Sequence, residues 1–132
     1  MSELGKIQKP EFSFESFNEL MKEVAYISRY WAFIDEKQLP SSNANMSLSE
    51  KIARFVWKKD GVVPVFERDR PTVQIGEFSK EKIKQGLQLL AQSDDKDSYI
   101  SIMKGDFDFY DADCFFQMAV LGKLVYPKEL ES

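Results

Sequence analysis

Ser16-Phe17-Asn18-Glu19-Leu20-Met21-Lys22-Glu23-Val24-Ala25-Tyr26-Ile27-Ser28-Arg29-Tyr30-Trp31-Ala32-Phe33 is the stretch that decides the architecture. It opens on a capping-box pattern, in which the Ser16 hydroxyl accepts from the Glu19 amide while the Glu19 side chain reaches back to the cap. Phe17, Leu20, Met21, Val24, Ile27, Trp31 and, just beyond, Ile34 recur at steps of three and four, which places them on one helical stripe. Tyr26, Tyr30 and Phe33 form a second stripe beside the first. A helix this broadly apolar leaves rings in water unless it is packed on more than one side. The spacing therefore predicts a central helix from Ser16 to Phe33 around which the remaining elements assemble.

Outward from it, Pro40 and the polar run Ser41-Ser42-Asn43-Ala44-Asn45 read as a loop. Ser47-Leu48-Ser49-Glu50 is a second capping box, and Leu48, Ile52, Phe55 and Val56 share one face of a short helix that Gly61 can end in a left-handed conformation. Val62 to Phe66 and Thr72 to Ile75 read as strands joined by the loop Glu67-Arg68-Asp69-Arg70-Pro71, with Pro64 marking the first as an edge strand or a bulge. Ser79 caps the next helix, and Phe78 and Ile83 stand at the spacing of a hydrophobic staple. Ile83, Leu87 and Leu90 carry that helix to Gln92, with Gly86 in its interior costing about 1 kcal/mol against alanine. Asp94-Asp95-Lys96-Asp97 reads as a loop and Tyr99, Ile100 and Ile102 as a short strand. Asp111 is placed to cap a last helix, nearly all apolar through Leu121 and closed by Gly122, with Leu124-Val125-Tyr126 as a final strand. The expectation is an α+β fold: one helix-dominated domain over residues 1–132, with about four helices, a small antiparallel sheet or hairpin, and short flexible tails at 1–12 and 128–132.

Composition narrows the chemistry. With 43% hydrophobic and 30% charged residues, and eleven Phe, five Tyr and two Trp, the chain has ample material for an aromatic core. The single cysteine, Cys114, excludes an internal disulfide, and the lack of histidine removes the commonest general base and metal ligand. A net charge of -4 and a pI near 5.0 argue against a dedicated duplex-DNA binder. Charge is unevenly spread: residues 51–70 carry six basic against three acidic residues, whereas residues 94–113 carry seven aspartates against two lysines. No apolar run is long enough to span a bilayer, and the N-terminus shows no charged-then-apolar leader, so a cytoplasmic protein without a membrane partner is expected.

Three groups of residues could carry function. Asp106, Asp108, Asp111 and Asp113 alternate with Phe107, Phe109 and Tyr110, and carboxylates at alternate positions could build an oxygen cage for Ca²⁺ or Mg²⁺. The EF-hand order is missing, since Tyr110 and Asp111 occupy its fifth and sixth positions and Gln117 stands where its glutamate belongs. The structural alternative has Asp111 and Asp113 at a helix start and Asp106 and Asp108 along a half-buried strand. Arg54, Trp57, Lys58, Lys59, Arg68 and Arg70 form a basic and aromatic set that could hold a phosphate and stack on a base, although no phosphate-cradling glycine loop or RNA-binding signature accompanies it. As a purely structural set they are a solvated helix end and a hairpin tip. Cys114 lacks a histidine to activate it and, next to Phe115 and Phe116, reads as a small buried apolar residue.

The reading is therefore a small acidic non-enzymatic module that binds a protein partner or a second copy of itself, with aromatic residues as anchors and without a cofactor. The alternatives are a divalent-metal-binding or metal-assisted function at Asp106–Asp113, and nucleotide or single-stranded nucleic-acid binding by the Arg54–Arg70 set. Of these partners, a nucleic acid fits the overall charge least.

Overall fold

A computed structural model describes residues 12–27, 30–39 and 45–126 of the chain. Its first helix, α1, spans Phe14–Ile27, shorter than the stretch from Ser16 to Phe33. The start moves to Ser13, whose Oγ accepts from the Ser16 amide at 3.1 Å and whose carbonyl accepts from the Phe17 amide at 2.9 Å. Ser13 occupies the capping position three residues upstream of the one that Ser16-Phe17-Asn18-Glu19 suggests. The helical stripe itself is real: Phe17, Leu20, Met21 and Val24 are completely buried.

Where the stripe predicts more helix, the chain extends instead. Ala32–Phe33 is strand β1, pairing antiparallel with Glu67 and Phe66, and the Trp31 carbonyl accepts from the Arg68 amide at 2.9 Å. The aromatic run suits a strand as well as a helix, and pairing with a distant segment satisfies its backbone, so tertiary contact overrides the local period. Strands β2 (Val63–Glu67) and β3 (Gln74–Phe78) complete a sheet of order β1-β2-β3. β2 is thus the central strand, and the edge position that Pro64 suggested is a local one: β1 reaches only Phe66 and Glu67, so at Pro64 the strand is paired with β3 alone. A register irregularity does follow, between Val65 and Phe66. The second strand lies further along than Thr72 to Ile75, with residues 68–73 as the connecting loop.

Helix α2 (Leu48–Ala53) starts at Ser47, whose hydroxyl accepts from the Glu50 amide as the sequence predicts, and runs on into a π-helical turn over Arg54–Lys58. The left-handed residue after it is Asp60, with φ of 57°, not Gly61. Helix α3 (Lys80–Ala91) is capped by Ser79 as expected. Asp94 and Asp95 lie in a turn, as expected, but helix α4 (Lys96–Lys104) takes the rest of the loop predicted at Asp94–Asp97 and replaces the strand at Tyr99–Ile102. Its buried residues, Ser98 and Ile102, are one helical turn apart, and Gly105 ends it at φ of 77°. Local β preference at Tyr99 and Ile100 gave way to that packing.

Helix α5 (Phe109–Leu121) is the centrepiece, buried without interruption from Ala112 to Val120. Two glycines let neighbours approach its backbone. A Cβ on Gly86 of α3 would stand 2.8 Å from the Ala119 Cα, and one on Gly76 of β3 would stand 2.5 Å from the Val120 carbonyl oxygen. Beyond Gly122, Leu124-Val125-Tyr126 is not a strand. Its amides at Val125 and Tyr126 donate to Gln117 Oε1 at 2.7 and 2.8 Å, so one buried side chain does the work of a partner strand. The expected loop at 40–44 and most of both tails lie outside the described residues; Phe12 is described, and it packs on Phe17 and Trp57 at ring separations of 6.4 and 6.0 Å.

Candidate binding surfaces

The four aspartates do not converge. Asp108, not Asp111, is the N-cap of α5: its carboxylate accepts from the Asp111 amide at 2.9 Å, and Asp111 returns the contact by accepting from the Asp108 amide at 3.1 Å. Asp111 also accepts from the Ser98 hydroxyl at 2.6 Å, tying α5 to α4. Burial raises the Asp111 carboxyl above the ordinary range, against the lowering effect of the bonds from Ser98 and the Asp108 backbone. Asp106 is exposed in the segment before the helix, which is not a strand. Asp113 points the other way, into the core. Among the described residues no three Cys, Asp or Glu side chains are placed to hold a metal ion.

Asp113 is only 3% exposed and accepts from the Trp31 indole N–H at 2.8 Å and from the Gln117 amide nitrogen at 2.9 Å. Gln117 then reaches the Tyr126 carbonyl at 3.2 Å. This chain of bonds joins the segment before β1, helix α5 and the C-terminal segment, with the Trp31 ring stacked against Tyr126 at 5.0 Å. Its sequence signal was an i,i+4 pair of polar residues inside an otherwise apolar helix. Cys114, one position on, is buried, and burial pushes its thiol up to about 11. Tyr110 donates to Asp95 at 2.8 Å, and burial raises its hydroxyl too. Neither group is poised as a nucleophile at neutral pH.

The basic and aromatic set is dispersed. Arg54 pairs with Glu50 at 3.0 Å along its own helix, and Arg70 pairs with Glu67 in the hairpin. Arg68 stands 5.6 Å from the Phe33 ring, and the Lys58 ammonium 4.4 Å from the Phe14 ring. Lys59 is exposed at the end of the π turn. Trp57 lines a concave site, and its companions there come from elsewhere in the chain.

That site is a groove of about 270 Å³ lined by Phe12, Trp57, Lys80, Ile83, Lys84 and Leu87. Phe17 stacks on the indole at 5.2 Å, and the Lys80 ammonium lies 5.0 Å from the indole centroid. Sequence reading missed the two lysines, although Lys80, Ile83, Lys84 and Leu87 recur at the spacing of one helix face.

A second surface follows α1. Tyr26 and Tyr30 are 52% and 43% exposed, and each packs edge-on to Phe109, at 6.2 and 5.7 Å. Next to them, Glu15, Ser16, Glu19, Gly105 and Phe107 line a cleft of about 280 Å³. Glu15, Glu19, Lys22 and Tyr26 recur at steps of three and four on one side of α1, so the acidic cleft and the ring cluster lie on the same side of that helix with Lys22 between them.

No family model, no curated protein and no solved structure matches this chain. No helix among the described residues is long and apolar enough to cross a membrane.

Proposed function

We propose that this chain is a non-enzymatic module that binds a partner protein through the face formed by Tyr26, Tyr30 and Phe109. The observation that carries this reading is the ring cluster itself: two tyrosines expose about half of their surface while packed edge-to-face on a third ring. Rigid, amphipathic rings at a surface are the residues that dominate binding energy in protein interfaces, because they bury large area at small entropic cost. The carboxylates of Glu15 and Glu19, toward the N-terminus on the same side of α1, favour a partner segment carrying arginine or lysine. Lys22, bonded to Glu19 at 3.0 Å, is a weak competitor because both groups are well exposed. The lone, buried Cys114 suits a reducing compartment such as the cytoplasm.

Titrating the labelled chain with a short peptide containing two arginines and an aromatic residue tests the reading by amide NMR. Shifts are expected at Tyr26, Tyr30, Phe107 and Phe109. They should weaken with salt and vanish in Tyr26→Ala/Tyr30→Ala, which should keep the parent's circular dichroism spectrum although losing two ring contacts with Phe109 lowers its melting temperature. Unchanged spectra at millimolar peptide, together with a mass near 15.3 kDa by sedimentation equilibrium, would reject it. A dimer that dissociates in the double variant would make the occupant of this face a second copy.

A further inference from the structure

The groove at Trp57 is built differently from the tyrosine face and selects a different ligand. Its floor is apolar, from Phe12, Ile83 and Leu87, and its rim carries the ammonium groups of Lys80 and Lys84, one helical turn apart. Neither lysine has an ion pair among the described residues. The acidic neighbour on the same helix, Glu81, turns away to accept from Gln85 at 3.4 Å. Lys80 donates to the Trp57 carbonyl at 3.5 Å, which holds its exposed ammonium over the indole. Two cations without an ion pair among the described residues, above an apolar trough, complement an anionic ligand that also has apolar surface to bury.

Trp57 itself sits on the π-helical turn Arg54–Lys58. A π turn spaces its bonds by five residues and is rare except as a local device, often where a side chain must be re-aimed for function. Here the Gly61 amide closes the segment onto the Phe55 carbonyl at 2.9 Å, and the indole lies against Phe17 and under Lys80. The groove volume of about 270 Å³ accommodates one or two apolar side chains, not a folded domain.

We infer that this groove is a docking site for an acidic amphipathic peptide segment of a partner protein, one that inserts an apolar side chain beside Trp57 and sets carboxylates on Lys80 and Lys84. The inference is independent of the tyrosine face, because it uses none of the same residues.

The probe is a synthetic peptide of about twelve residues with leucine and phenylalanine one helical turn apart among glutamates. The indole N–H signal of Trp57 should move on titration while that of Trp31, held by Asp113, stays in place. Lys80→Glu/Lys84→Glu should weaken binding on the order of tenfold or more, and Lys80→Arg/Lys84→Arg should retain it. The lysines are exposed, so folding is not at stake, and equal melting temperatures verify this. The proposal is overturned if the peptide with glutamine in place of glutamate binds equally well, if the Lys-to-Glu variant binds as the parent does, or if the Trp57 signal does not respond. It is equally overturned if ATP or an oligothymidylate moves that signal at lower concentration than the peptide. Tyr26 and Tyr30 signals report separately, so failure at one site is distinguishable from failure at the other.

Discussion

Gly86→Ala gives the sharpest test of how the core is assembled, because two physical effects at this site have opposite signs. Alanine in the middle of a helix is favoured over glycine by about 0.8–1 kcal/mol, so on α3 alone the substitution stabilises. In the fold, the new methyl would stand 2.8 Å from the Ala119 Cα, 2.8 Å from its Cβ and 2.9 Å from its nitrogen. Two of those three atoms are backbone of a buried helix and cannot rotate away, so α3 and α5 must separate. Overpacking of this kind costs typically about 1–3 kcal/mol, and separation also loosens the contacts of Ile83 and Leu90 with the core. The clash outweighs the propensity gain, leaving a net loss of roughly 1–2 kcal/mol and a fall in melting temperature of roughly 3–8 °C for a chain of this size. Urea denaturation and thermal melts measure it, with Gln88→Ala, at an exposed position of the same helix, as the control. Adding Ala119→Gly should not restore stability, because the backbone atoms remain in the way. Gly86→Ala as stable as the parent, or more so, would refute the close approach of α3 and α5.

Two further outcomes follow from the α5 N-terminus and its buried thiol. Asp108→Ala removes the cap and should cost about 0.5–2 kcal/mol, whereas Asp106→Asn, at an exposed site without a cap role, should be close to silent; paired urea denaturations decide. Cys114, with its thiol pushed up to about 11 and 1% exposed, holds roughly one part in a thousand as thiolate at pH 8 and should resist iodoacetamide until urea unfolds the chain. Rapid alkylation of the native protein would contradict its burial.

The helix starts at Ser47 and Ser79, the buried stripe from Phe17 to Val24, the apolar last helix and its glycine end were all legible in the sequence. Each rests on residues within a few positions of one another: a hydroxyl reaches an amide three residues on, and a helical face repeats every three or four residues. The same local signals were less decisive where competing starts existed, as with Ser13 against Ser16 and Asp108 against Asp111. The sequence singles out Trp57, but not the residues that share its groove, because Phe12, Lys80 and Lys84 are far from it in the chain.

What the tertiary structure decided are the relations between segments distant in sequence. Residues 30–33 leave the helical period because β2 offers them hydrogen bonds and Asp113, 82 positions away, receives the Trp31 indole. Lys96–Lys104 is a helix because Ser98 and Ile102 pack together on α5, against the β preference of Tyr99 and Ile100. Gln117 turns an expected strand at Leu124–Tyr126 into a segment clasped by a side chain. Gly86, a weak point when α3 is considered alone, becomes the residue that admits α5. In each case the local preference is worth about 1 kcal/mol or less, and burial of large side chains, at roughly 1.5–3 kcal/mol each, outweighs it once the distant partner is present.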